Sequence, residues 1–319
     1  MRRQRLRRVA AATALCSAVT LTVAGAGRPD PYAPPTAATA LSSPAALQTR
    51  YDAVRGDIRA ARDIAAKFHD TGRVKALDAL LRPGREFVSF DARRSGKVVE
   101  VIGDLARADR VAVVVPGADG ELTNFDSWKW AGGGARALDR QALQAAPGSR
   151  LAVIAWLGYD SPSTLSTNVL SDDTANDGAR ALRSFLGDVH RVNGNARIAL
   201  LGHSYGSVVL GRAIPHLGGL PVDEVALYGS PGTTRRSVAD LKTRAHVWAG
   251  RASSDWMQYV PKIRMAGIGF GQDPVGRSFG AQRFAAGSGT HSEYLKPGST
   301  SLRNLALIAL GLDSEVTHA

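Results

Sequence analysis

Five short runs constrain the architecture of this 319-residue chain. They read RVAVVVPG (110–117), RLAVIAWLG (150–158), RIALLGHSYG (197–206), EVALYGSPG (224–232) and AHVWAGRASSD (245–255). Each is apolar without alternation, and each ends in glycine or a polar turn. A strand that is apolar on both sides needs cover on both faces, as in a parallel sheet. Helical spacing fills the gaps between the runs, at Ala135–Ala146, Thr174–Val192, Ser207–Leu217 and Ser237–Lys242. Strand and helix in alternation imply an α/β fold, with a mostly parallel central sheet and helices on both faces. Ahead of these, EFVSFDARRSGKVVEVIGDL carries two alternating runs around Arg94-Ser95-Gly96, which predicts an antiparallel hairpin at one edge. From Leu47 to Leu81 apolar residues recur at helical intervals until Arg82-Pro83-Gly84 stops them.

The N-terminus follows a different logic. Arg2, Arg3, Arg5, Arg7 and Arg8 precede the apolar stretch VAAATALCSAVTLTVAGA, and Ala24-Gly25-Ala26 supplies small residues where a signal peptidase would cut. Residues 1–26 therefore read as a cleaved export signal, and the protein as secreted or extracytoplasmic. A retained membrane anchor is disfavoured by the short, Ala/Thr-rich run. Residues 27–46 are Pro/Ala/Ser-rich and read as a linker. Residues 47–84 form an N-terminal helical segment, and 85–319 the α/β domain. The single cysteine, Cys16, falls inside the leader, so the mature chain has no thiol chemistry. The formal charge of +12 comes partly from the leader arginines. The rest scatters along the chain, which argues against nucleic-acid binding and is compatible with transient contact with an anionic envelope surface.

Within the third run, Gly202-His203-Ser204-Tyr205-Gly206 fits G-x-S-x-G. The pattern alone is weak in a chain with 34 glycines. Its context is specific: the strand IALL leads in, and Val208, Val209, Leu210, Ala213 and Ile214 lead out at helical spacing. That is the setting of a nucleophile elbow, where a strained turn between strand and helix holds out a serine.

A serine hydroxyl attacks only when a base takes its proton. Of seven histidines, His69 and His190 precede the elbow in helix-like segments. His203 adjoins the serine and is expected to point away, His216 ends the next helix, His246 opens a strand at the opposite end, and His318 is in the tail. His291, in the loop SGTHSEYL after the strand-like AQRFAAG, fits the chain order Ser, acid, His. The acid that orients it is Asp255, just after HVWAG, with Asp273 in GQDPVG as the alternative. The N–H groups of Tyr205 and Ala118, the latter in the loop PGADG, are the candidate oxyanion donors.

Only TTRRSVADLKTR separates EVALYGS from AHVWAG, which leaves no room for a large lid domain. The polar stretch 159–177 is the expected rim. Asp172, Asp173 and Asp177 within it read as helix caps before cation ligands. Trp128, Trp130, Trp156, Tyr159, Trp256 and Tyr294 fall near strand ends, where they either wall a pocket or pack in the core. Gly132-Gly133-Gly134 reads as a loosened helix entry. No metal or cofactor motif is present.

The motifs VVPG, AWLGYDSP, GHSYGS, YGSPG, GQDPVG…FGA, THSEYL and GSTSLRNLALIALG together resemble an actinobacterial α/β-hydrolase family long catalogued as a domain of unknown function, over roughly Val111 to Leu312. The resemblance implies the α/β-hydrolase fold, Ser204 and His291 in the triad, and no cofactor. It leaves the acid open between Asp255 and Asp273. The resulting expectation is an exported serine hydrolase, esterase- or lipase-like, acting on a small-molecule or lipid-like ester. The alternatives are an acyltransferase using the same triad and a catalytically silent binding protein on the same fold.

Overall fold

The apolar runs become the centre of an eight-stranded sheet with order β1-β2-β4-β3-β5-β6-β7-β8. The structure is a computed structural model, and it describes residues 30–35, 41–164, 172–260 and 269–319. The expected leader, and residues 27–29 and 36–40 of the expected linker, lie outside the described residues. Strands β1 (Glu86–Asp91) and β2 (Lys97–Ile102) form the expected hairpin, and β2 also runs antiparallel to β4 (Leu151–Leu157). Strands β3 (Arg110–Val115), β4, β5 (Arg197–His203), β6 (Val222–Tyr228), β7 (His246–Gly250) and β8 (Gln282–Arg283) are mutually parallel.

Burial on both faces explains the missing alternation. Side chains of a strand still alternate, but each face meets its own apolar layer. Ala112 and Val114 of β3 join a core with α3 (Ala131–Ala145) and α6 (Thr300–Leu310), to which Val54 and Ile58 of α1 (Ala45–Lys67) and Leu77 of α2 (Thr71–Leu80) also belong. Val111, Val113 and Val115 join the other core, with α4 (Asp172–Val192) and α5 (Tyr205–Ala213). In α4 the inward residues Ala175, Ala179, Leu182, Leu186 and Val189 keep the three- and four-residue spacing of one helix face. Tyr32–Ala319 forms one compact unit.

Three local readings differ from the structure. The helical stretch over Leu47–Leu81 is two helices, because His69 takes the left-handed conformation (φ 57°) and Asp70 caps α2, accepting from Arg73 N–H at 2.9 Å. The stretch Ser237–Lys242 supports only a 3-10 turn at Ala239–Leu241, since six residues cannot repay helix nucleation. Gly132–Gly134 do not loosen a helix entry. They form the first turn of α3, where a Cβ on Gly132 would lie 2.4 Å from the Phe125 ring and one on Gly133 2.5 Å from the backbone at Asp126–Ser127.

Candidate active site

All the parallel strands deliver their following loops to one edge of the sheet, and a cleft of about 490 Å³ opens there. At the end of β5 the chain turns into α5 through Ser204, whose backbone sits at φ 49°, ψ −123°. That region is costly for a residue with a Cβ, and strain of this kind persists only where the surroundings enforce it. Here they do. A Cβ on Gly206 would lie 2.3 Å from the Val115 carbonyl oxygen, and one on Gly202 2.6 Å from Leu210 Cδ1. Ser207 Oγ–H donates to the Ser204 carbonyl at 2.6 Å, and Ser204 N–H donates to Tyr228 O at 3.0 Å.

His291 reaches the serine from the loop after β8. Its Nε2 lies 2.9 Å from Ser204 Oγ, and its Nδ1 lies 2.9 and 3.1 Å from the two oxygens of Asp255. A carboxylate only accepts, so Nδ1 carries the proton and Nε2 is left to accept from the serine hydroxyl. Asp255 is fully buried. Burial alone would raise its pKa, but hydrogen bonds from His291, Tyr294 and the Met257 N–H hold it below the usual carboxylate value. Tyr294 OH donates at 2.6 Å and Met257 N–H at 2.8 Å. Ser204, His291 and Asp255 are thus brought together. Asp273 is not among them: it receives a hydrogen bond from Arg251 at 2.7 Å.

Tyr205 opens α5, so its N–H has no intrahelical acceptor. Ala118 follows Gly117, whose α-carbon abuts the serine closely enough that a Cβ there would lie 2.7 Å from Ser204 Cβ. Among the described residues no group accepts either N–H, and Tyr205 and Ala118 line the cleft beside Ser204. Trp256, Met257, Val260, Phe270 and Pro231 give the cleft an apolar wall, with Trp130 and Lys129 elsewhere on its lining. The Trp256 ring centroid is 5.0 Å from that of His291. Trp156 and Tyr159 stack on each other in the core instead of walling the cleft. Between β6 and β7 the chain holds only the turn at Ala239–Leu241, so no lid arises there.

Two site residues escaped sequence reasoning. Tyr294 reads from the sequence only as a pocket or core residue, yet it holds Asp255 and also accepts Ala252 N–H at 3.0 Å. Its signal was a phenol three residues after His291. The sequence assigns His203 no role in the site; its ring packs beside that of His291 with centroids 4.9 Å apart and is bonded to the His291 backbone.

At the far end of the sheet, Glu224, His246 and Asp313 have ligating atoms close enough to share a cation, the one such group found among the described residues. In the structure they contact one another: His246 Nδ1 lies 2.5 Å from Asp313 Oδ2 and 3.2 Å from Glu224 Oε1. Asp172 pairs with Arg212 at 2.5 Å, and Asp177 pairs with Arg180.

Comparison with known proteins adds the family. An uncharacterised protein of Mycobacterium tuberculosis, Rv2079, is 32% identical over 251 residues, covering 68% of this chain and 37% of its own length. The chain therefore spans little more than a third of that relative. The uncharacterised protein Mb0988c of Mycobacterium bovis is 34% identical over 187 residues, covering 54% of this chain and 69% of its own. Among solved structures, esterase LipW from Mycobacterium marinum aligns over 86% of this chain and 98% of its own at 16% identity, with a TM-score of 0.44. XC6422 from Xanthomonas campestris, described as an a/b serine hydrolase without lid, aligns over 75% and 98% at 16% identity, with a TM-score of 0.42. The family model described as alpha/beta hydrolase matches residues 91–265, more than half of the chain, and with that sheet order and that match the chain belongs to the alpha/beta hydrolase family.

Proposed function

We propose that the protein is an exported serine hydrolase that cleaves carboxylic esters through an acyl-enzyme. One observation carries the reading: the continuous hydrogen-bonded line from Ser204 Oγ through His291 to the buried carboxylate of Asp255, at the floor of the cleft. Ser204 Oγ attacks the ester carbonyl carbon while its proton passes to His291 Nε2. Asp255 keeps the imidazole in the required tautomer and stabilises its charged form. The N–H groups of Tyr205 and Ala118 receive the oxyanion. His291 then gives its proton to the departing alkoxide, leaving an acyl group on Ser204. Water attacks that acyl group, losing its proton to His291, and as the acid leaves His291 returns that proton to Ser204 Oγ, which regenerates both groups. The apolar wall of Trp256, Met257, Val260 and Phe270 suits an apolar portion of the ester. Export rests on the basic, then apolar, N-terminal leader.

The test is labelling of the protein with a fluorophosphonate probe, beside turnover of short and long p-nitrophenyl esters. Wild type is expected to label and to turn over, with labelling lost in Ser204→Ala and turnover lost in His291→Ala. A folded wild type that does neither removes the reading.

A further inference from the structure

We infer that the segment Tyr159–Thr164 is the scaffold that positions the Ala118 N–H, with Ser161 as its central positioning residue. This rests on the proposed role of Ala118 as an oxyanion donor. The loop that follows β3 has left the sheet ladder, so its backbone groups must find partners elsewhere or remain unsatisfied. They find them in the motif YDSPST, which the catalytic line does not use.

Ser161 braces both sides of the donor. Its hydroxyl donates to the Gly117 carbonyl at 2.7 Å and accepts the Gly120 N–H at 3.1 Å. Those two residues flank Ala118 and Asp119. Tyr159 OH adds a donor shared between the Pro116 and Gly117 carbonyls, at 3.0 and 3.2 Å. Its ring is locked by stacking on Trp156 with centroids 5.7 Å apart, and burial pushes its phenol pKa upward, so it remains a donor at any ordinary pH. On the other side Asp119 N–H donates to the Pro162 carbonyl at 2.9 Å, and the Asp119 carboxylate accepts the Thr164 N–H at 2.9 Å and the Thr164 hydroxyl. These contacts hold Asp119 at φ 62°, a left-handed backbone that a residue with a Cβ adopts at a cost.

The loop also has little latitude toward the serine, because Gly117 already abuts Ser204. An oxyanion donor works only when fixed before charge develops, and a misplacement of about 1 Å can cost a factor near 100. The bracing therefore acts on the transition state and leaves ground-state binding nearly untouched.

The experiment compares full-length wild type with Ser161→Ala, Ser161→Thr and Tyr159→Phe. For each, kcat and KM on one p-nitrophenyl ester, the affinity for an alkyl boronic acid (a tetrahedral mimic), and the melting temperature are measured. In Ser161→Ala, kcat is expected to fall about 10- to 100-fold with KM changed by less than about threefold, and boronate affinity to fall in parallel. Ser161→Thr, which keeps the hydroxyl, should restore most of the loss, and Tyr159→Phe should show a smaller loss of the same kind. An active wild type with kcat unchanged in folded Ser161→Ala, or with the loss confined to KM, overturns the scaffold and leaves the serine mechanism standing. A wild type that neither turns over ester nor binds boronate overturns the hydrolase reading and this inference with it.

Discussion

His203 Nε2–H donates to the backbone carbonyl of His291 at 2.8 Å, so the residue before the elbow serine holds the histidine that faces that serine. Burial, with the neighbouring His291 adding to it, pushes the His203 pKa down to about 3. Its ring is neutral at any working pH and brings no second positive charge to the site. Replacing it by Phe keeps the ring packing against Tyr228 and Tyr294 and removes the donor. In His203→Phe, kcat/KM is expected to fall about tenfold and stability by about 1–3 kcal/mol, the cost of a buried acceptor left unpaired. Activity equal to wild type in a folded variant would refute the tether.

The two aspartates after β7 should separate cleanly. In Asp255→Asn the amide no longer selects the Nδ1–H tautomer, and turnover is expected to drop by about 10³- to 10⁴-fold. Asp273→Asn weakens contacts with Arg251 and the Val275 N–H, away from His291, and should keep turnover within about threefold of wild type. Steady-state kinetics of the two variants, with circular dichroism to confirm folding, decide between them.

Trp256 is half exposed, lies against His291 and lines the cleft. Removing it takes away apolar area from one wall of the cleft. In Trp256→Ala, kcat/KM for esters of bulky apolar alcohols should fall about tenfold, while methyl esters change little. Equal losses across the alcohol series would show that the ring serves His291 and does not contact substrate.

Gly206 tests the packing of the elbow. The Cβ of Gly206→Ala would meet the Val115 and Pro116 carbonyls at 2.3 and 2.7 Å, both of them backbone atoms that cannot rotate away. A loss of about 1–3 kcal/mol is expected in urea denaturation. Fluorophosphonate labelling should also fall, because the start of α5, which carries the serine, must move away from the end of β3.

The Glu224–His246–Asp313 cluster gives a pH dependence with a definite sign. Burial raises Glu224 to about 7, and the Asp313 hydrogen bond raises His246. Both folded-state values lie above the unfolded ones, so the folded protein holds its protons more tightly. The stability they confer is complete below the unfolded values and is lost as pH rises through the folded ones. Between about pH 5 and 8 the melting temperature should decline in wild type, and the decline should flatten in Glu224→Gln. An identical slope in the two proteins would exclude the cluster as its source.

Legibility in the sequence tracked the range of the forces involved. The parallel strands were readable because burial on both faces demands unbroken apolar runs. The hairpin was readable from alternation broken at a Gly-containing turn. The break at His69 was not, since a histidine in the left-handed conformation looks like any other residue in a helical period. Between the aspartates the sequence favours Asp255 without excluding Asp273, because both follow β7 and each stands in a loop. Their difference lies in Tyr294 and Arg251, which reach them through the fold.

What the sequence determined by itself was the layered sheet, the glycine-flanked serine and the order of Ser204, the two loop aspartates and His291 along the chain. These follow from local periodicity and from a turn so tight that only glycine fits beside it. The meeting of His291 with Asp255 and not Asp273, the tether from His203 and the bracing of Gly117 and Gly120 by Ser161 exist only in the tertiary structure. Each is a hydrogen bond between residues far apart in the chain, and its 3 Å geometry exists only once both cores have closed around the sheet.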